Sequence, residues 1–165
     1  MSAFHNVSLA DVDEAVLETL LEVALADAAP NDVTPPLGGT GWTPERISWF
    51  RSYHQAAAAG LRGPAGEKTW AVVCDGIPAG SVRLKLTGPD QAEMGIWLAR
   101  RFRGRGVGTA ALGLVMTEAR RCGLEQVVAQ TTAGNAAAQR LLVAVGAALA
   151  HDGGGVVSAA VELPK

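Results

Sequence analysis

Residues 103–109 read Arg103-Gly104-Arg105-Gly106-Val107-Gly108-Thr109, and how this loop is read decides the fold. A strand pattern, Gln91 to Ala99, leads into it. A helical pattern follows to Cys122, with Gly123 as its stop. Three glycines in five residues let the backbone turn tightly and let a ligand approach it closely. The first turn of the helix has amide N–H groups with no internal partner, at the positive end of its dipole, which suits a diphosphate. Arg101, Arg103 and Arg105 add positive charge around it. The bland alternative is an ordinary glycine-rich turn; the arginines and the strand–helix setting argue against it.

Other phosphate loops fit less well. A P-loop needs a Gly-Lys pair before Ser or Thr, and none occurs. The dinucleotide pattern Gly-x-Gly-x-x-Gly/Ala fails at Thr109 when counted from Gly104 and passes at Ala111 when counted from Gly106. That fold needs several further β-α units, for which too little chain remains. Glu125 also stands at the start of the next strand, whereas a ribose-binding acid is expected at its end.

Working outward, Phe4 to Leu9 reads as a first strand. Asp11 to Ala26 reads as a helix with Val12, Val16, Leu20 and Val23 on one face and Asp11, Glu14, Glu18 and Glu22 opposite. Pro30 to Gly41 is too rich in Pro and Gly for helix or strand, and a long irregular loop is often functional. Thr43-Pro44-Glu45 opens a helix that runs to about Ala59. Lys68 to Cys74 and Ile77 to Leu86 form a hairpin around Asp75-Gly76, and Gln91 to Ala99 adds a third strand. Gln126 to Thr132 is a strand, and Asn135 starts a helix that ends at Gly146. Ala147 to His151 and Val156 to Leu163 close the chain as a hairpin. The predicted order is β-α-α-β-β-β-α-β-α-β-β, an α/β (α+β) chain. No repeat or linker splits it, so residues 1–165 read as one domain.

Composition narrows the function. Lys and Arg total 14 against 16 Asp and Glu, which argues against a dedicated nucleic-acid binder. Residues 1–66 carry eight acids against three arginines, whereas residues 94–165 carry eight bases against four acids. This suggests an anion bound by the C-terminal half and a cation tolerated by the N-terminal half. Mean hydropathy is +0.18, yet the longest uncharged run, Gln126 to Gln139, is too short and too polar to span a membrane. Met1 to Asn6 lack a secretory n-region and h-region. Cys74 and Cys122 show no pairing pattern, and together these features point to the cytoplasm. His5, His54 and His151 lie too far apart in sequence to suggest a metal site.

The pattern Arg103-x-x-Gly106-x-Gly108 matches the Gln/Arg-x-x-Gly-x-Gly/Ala loop of the GNAT family of N-acetyltransferases. Glu93-Met94-Gly95-Ile96-Trp97-Leu98 looks like that family's fourth strand. Asn135, Arg140-Leu141-Leu142 and Val145-Gly146 look like its second conserved segment. Over most of its length the chain resembles this family and its mixed central sheet. The nearest pattern is the branch that includes ribosomal-protein alanine acetyltransferases. The resemblance implies acetyl-CoA as donor. Its pyrophosphate would be held by the amides of Arg103, Gly104, Arg105, Gly106, Val107, Gly108 and Thr109. Its pantetheine would lie along Leu98 and Ala99, with Asn135 facing it. Many members carry a Tyr where Leu142 stands, and members of that branch often carry a Ser where Ala138 stands. This chain has neither hydroxyl, and Ala147 replaces the usual aromatic, so water or the incoming ammonium is expected to reprotonate the thiolate.

Direct transfer to an amine requires removal of a proton, since an alkylamine with a pKa near 10 is ~99.9% protonated at neutral pH. Glu93, on the strand face shared by Gly95 and Trp97, is the expected base, direct or through water. Tyr53 and His54 are weaker candidates. A backbone N–H of that strand suits the oxyanion. Trp42, Trp49 and Tyr53, with Phe50 nearby and Trp70 and Trp97 joining, are expected to line a pocket for a cationic amine. The alternative is that these rings belong to the core. The 31–42 loop is expected to select the acceptor: a small-molecule amine, an antibiotic amine or a protein N-terminus. A homodimer is compatible with the sequence. The rival functions are a non-catalytic acyl-CoA-binding module and a structural partner subunit.

Overall fold

Side-chain caps set where three of the helices begin. Asp13 Oδ1 accepts the Val16 N–H at 2.8 Å, Thr43 Oγ1 the Arg46 N–H at 3.2 Å, and Asn135 Oδ1 the Ala138 N–H at 3.0 Å. The computed structural model describes residues 6–164. Part of the expected first strand, and the expectation about Met1 to Asn6 apart from Asn6 itself, fall outside them. The elements are β1 (Val7–Asp11), α1 (Glu14–Asp27), α2 (Pro30–Val33), α3 (Pro44–Ala57), β2 (Glu67–Cys74), β3 (Ile77–Leu86) and β4 (Gln91–Leu98). After a 3-10 turn at Arg100–Phe102 come α4 (Val107–Arg121), β5 (Gln126–Thr132), α5 (Ala136–Ala144), β6 (Ala148–His151) and β7 (Val156–Glu162).

Two details differ from expectation. Because Asp13 is the cap, α1 starts at Glu14. Its buried face is Leu17, Leu20, Leu21 and Ala24, leaving Val12, Val16 and Val23 half-buried beside it. Within the Pro/Gly-rich stretch, Pro30–Val33 form one helical turn. Pro30 supplies the fixed φ that suits a first helical position, and Pro35 disfavours helical backbone at Thr34.

The strands form one sheet in the order β1-β2-β3-β4-β5-β7-β6. Every neighbouring pair is antiparallel except β4 and β5, which are parallel. Alternation along β4 splits its residues between two layers. Ala92 and Met94 enter the core under α4, with Leu112, Val115 and Met116. On the other side, Trp97 packs against the cluster that α1 and α3 build from Leu17, Leu20, Leu21 and Phe50. No described helix is long and apolar enough to cross a membrane.

Candidate active site

The parallel pair β4–β5 is short. It registers Gln91 with Gln126, Ala92 with Val127 and Glu93 with Val128, and then the strands part. Beyond that point β4 has no β5 partner, and a cavity of about 720 Å³ opens between the end of β4, the start of α4 and the face of α5. Gly104 and Gly106 sit in the left-handed region at φ 73° and 81°, where a side chain is strained. A Cβ on either would meet nothing within 4 Å, so the loop backbone is bare. Ala110 donates to Gly106 O at 3.1 Å, the first bond of α4. The amides of residues 107–109 precede it and have no helical acceptor. These features fit a diphosphate at the helix start.

Seven of the expected donor-binding residues line this cavity: Leu98, Arg103, Gly104, Gly106, Gly108, Thr109 and Asn135. Three do not. Ala99 is buried, donating to Ala79 O at 2.8 Å and accepting from the Phe102 N–H at 3.0 Å, because the chain turns into the 3-10 segment there. Val107 points into the core under α4, and Arg105 is exposed away from the lining. Arg103 contributes its side chain more than its amide, which bonds Arg100 O. Its Nε donates to Leu98 O at 3.0 Å and its Nη2 meets Asp32 at 3.4 Å, tying the end of β4 to α2.

A second cavity, about 560 Å³, lies across β4 beneath α2 and α3. Trp49 and Tyr53 both line it, their rings stacked at 4.7 Å and 9°. Tyr53 Oη donates to Glu67 Oε2 at 2.5 Å. Burial and this carboxylate push the phenol well above its ordinary pKa, so it stays protonated. Glu93 also lines the cavity, and its Oε1 accepts from Arg83 Nη2 at 3.0 Å; the other Arg83 nitrogen, Nη1, stands 3.8 Å from Glu67. Arg83 reaches both because Gly95 lies beneath it: a Cβ there would stand 2.8 Å from Arg83 Nε. His54 is buried against Phe50, with Nδ1 2.9 Å from Thr69 Oγ1, and burial pushes its pKa down to about 4. Trp42 is not in the lining. Its Nε1 donates to Ala28 O at 3.1 Å and its ring packs on the α1–α3 cluster. Trp70 likewise belongs to the core under α4, whereas Trp97 lines both cavities.

A smaller cavity of about 430 Å³ joins the two chambers. Arg83, Glu93 and Gly95 bound it on the side of the second cavity, and Asn135, Ala138 and Leu142 on the α5 side. Ile96 lines all three spaces and marks where they meet. At about 3.3 Å per residue, Glu93 lies ~10 Å along the strand from Ile96, a span that calls for an intervening water. The residues that sequence reasoning missed are Glu67, Arg83 and Asp32. Arg83 had a signal, since it alternates with Val82 and Leu84 and so leaves the core face.

A glycine-rich helix start beneath a split strand pair, with a carboxylate-lined chamber behind it, is an arrangement that suits group transfer between two separately bound substrates. The chain belongs to the GNAT family: the family's acetyltransferase (GNAT) domain matches residues 10–148. It is therefore an acetyl-CoA-dependent N-acetyltransferase. Solved structures of the same fold include RimJ of Mycobacterium smegmatis in complex with a CoA disulfide. It shares 21% identity over 96% of this chain and 84% of that one, with a TM-score of 0.78. A Salmonella typhimurium acetyltransferase described as modifying the N-terminal serine of ribosomal protein L7/L12 shares 19% identity over 98% of both chains, TM-score 0.74. The microcin C7 self-immunity acetyltransferase MccE, bound to acetyl-CoA and AMP, shares 15% over 97% and 94%, TM-score 0.71. No curated protein is significantly similar to the chain in sequence.

Proposed function

We propose that the chain, acting as one catalytic domain, acetylates a primary amine that enters beneath α2 and α3, with Glu93 taking the amine's proton through water. A peptide N-terminus and a small-molecule amine are the acceptor classes, supported by the acceptor named for the Salmonella relative and by the room beside Trp49 and Tyr53. The observation that carries this reading is the meeting of the two chambers at Ile96, with Glu67 and Glu93 on the acceptor side alone. An ammonium is drawn to those carboxylates, loses its proton there and meets the thioester at the junction. In this reading a backbone N–H of β4 beyond Glu93, where β5 has parted, bonds the developing oxyanion. Free Cys74 and Cys122 support a reducing, cytoplasmic setting.

The test is CoA release measured across peptides with free or blocked N-termini, lysine side chains and small amines. Glu93→Gln should lower kcat ~10²–10⁴-fold while leaving CoA affinity unchanged. A normal rate for Glu93→Gln at every pH moves the base elsewhere. CoA binding with no amine acetylated would favour the acyl-CoA-binding module instead.

A further inference from the structure

The junction cavity has one hydroxyl among its described lining residues, that of Thr131 on β5. Its position follows from register. Glu93 pairs with Val128 in the last rung of β4–β5, and three residues further along each parallel strand stand Ile96 and Thr131. Thr131 therefore faces Ile96 across the split, at the level where the two substrate chambers meet. Strand alternation sets its direction too: Val127 and Ala129 point into the core under α4, and Thr131 continues that face to the edge of the cavity. Leu142 and Ala138, on α5, line the same cavity without a polar atom in their side chains. Of the other polar side chains in this lining, Arg83, Glu93 and the Asn135 oxygen are committed to partners. Arg83 is paired with Glu93, and Asn135 Oδ1 caps α5. Gln130 occupies the opposite, exposed face of β5. The Thr131 hydroxyl has no hydrogen-bond partner among the described residues.

We propose that Thr131 is a catalytic residue whose hydroxyl bonds the sulfur of CoA as it leaves and passes it a proton. The inference rests on the acetyltransferase reading. One proton of the acceptor ammonium goes to Glu93 through water. The freed nitrogen pair forms the C–N bond to the acetyl carbon, and the C–S bond breaks with its electron pair on sulfur. The nitrogen's surplus proton goes to the Thr131 oxygen while the Thr131 proton goes to sulfur. The products are the amide, the CoA thiol and one proton released from Glu93, and Thr131 ends as it began.

Thr131→Val keeps the shape and the β-branch and removes only the donor. It should lower kcat ~10–10²-fold, the worth of one hydrogen bond to a charged group. Thr131→Ser should retain most of the rate. CoA affinity by calorimetry at pH 6.5, where the thiol is protonated, should be alike in all three proteins. A second readout needs no turnover: the thiolate absorbance of bound CoA is titrated with pH. A free thiol titrates near ~8.5, and the pKa of bound CoA should be about 1 unit higher in Thr131→Val than in the wild type. An equal thiol pKa in the two proteins overturns the proposal. So does an unchanged kcat in Thr131→Val, or a loss of CoA affinity that parallels the loss of rate. If the wild type acetylates no amine, the acetyltransferase reading fails, and the thiol titration still decides whether Thr131 bonds the sulfur.

Discussion

His54 stands between Phe50, Tyr53 and Thr69 with no carboxylate against it, and burial alone holds its pKa down to about 4. The unfolded chain would protonate the same ring near ~6.5. The folded state is thus the poorer proton acceptor. Its stability advantage is complete above about 6.5 and is lost as pH falls toward 4, up to about 3 kcal/mol at the lower end. His54→Gln keeps a polar partner for Thr69 and cannot charge. Urea midpoints at pH 7 and pH 4.5 should therefore fall less for His54→Gln than for the wild type. Equal falls would mean that the ring is protonated in the fold. A neutral imidazole leaves Arg83, paired with Glu93, and Lys85 as the cations lining this cavity.

At the scale of elements, the segment from α2 to α3 forms one wall of the proposed acceptor chamber. Val33 and Trp42 pack on the α1–α3 cluster, and polar bonds hold the loop between them. Buried Arg46 donates to Leu37 O and Gly39 O, and Thr43 Oγ1 donates to Leu37 O at 2.6 Å. One turn along α3, Trp49 and Tyr53 stack at i and i+4 and present their rings to the cavity. Trp49→Ala should raise the acceptor KM by several-fold to ~10-fold, the worth of an aromatic contact, and move the donor KM far less. Steady-state kinetics with each substrate varied in turn is the check, and equal losses would mark Trp49 as structural. Much of this was legible in sequence. The 103–109 loop, the strand before it and the Asn135 cap are local patterns whose physics lies within a few residues. Trp49 and Tyr53 were legible as a cluster on one helix. Trp42 was misplaced because nothing local says that its indole bonds Ala28 O. The Glu67–Arg83–Glu93 linkage was not legible, because it depends on cross-strand register and on the bare backbone of Gly95 beneath Arg83.

At the scale of the whole molecule, the sheet is two units joined at a narrow seam. β1 to β4 form one and β5, β7 and β6 the other. Among the described residues, the ladder between them has three pairs, from Gln91–Gln126 to Glu93–Val128. The cavity proposed for the donor is the wedge where the seam opens. Its walls come from both units and from α4, whose Gly108 packs so near Leu141 of α5 that a Cβ would stand 3.3 Å from it. CoA seated there, as proposed, bridges both units and binds the folded chain alone, and the melting temperature should then rise by mass action. At 100 times its Kd, the gain is about 2.7 kcal/mol, roughly 5–10 °C for a chain of this size. Gly106→Val separates this effect from intrinsic stability. The substitution costs about 1–2 kcal/mol at φ 81° and lowers the melting point of the free protein by a few degrees, leaving it folded. It also puts a branched side chain into the open space above the loop, where the pyrophosphate must approach the helix amides. The CoA-induced rise should therefore vanish in Gly106→Val at CoA concentrations that saturate the wild type. The same rise in both proteins would place CoA outside the wedge, and the seam would then be a structural feature with no part in donor binding.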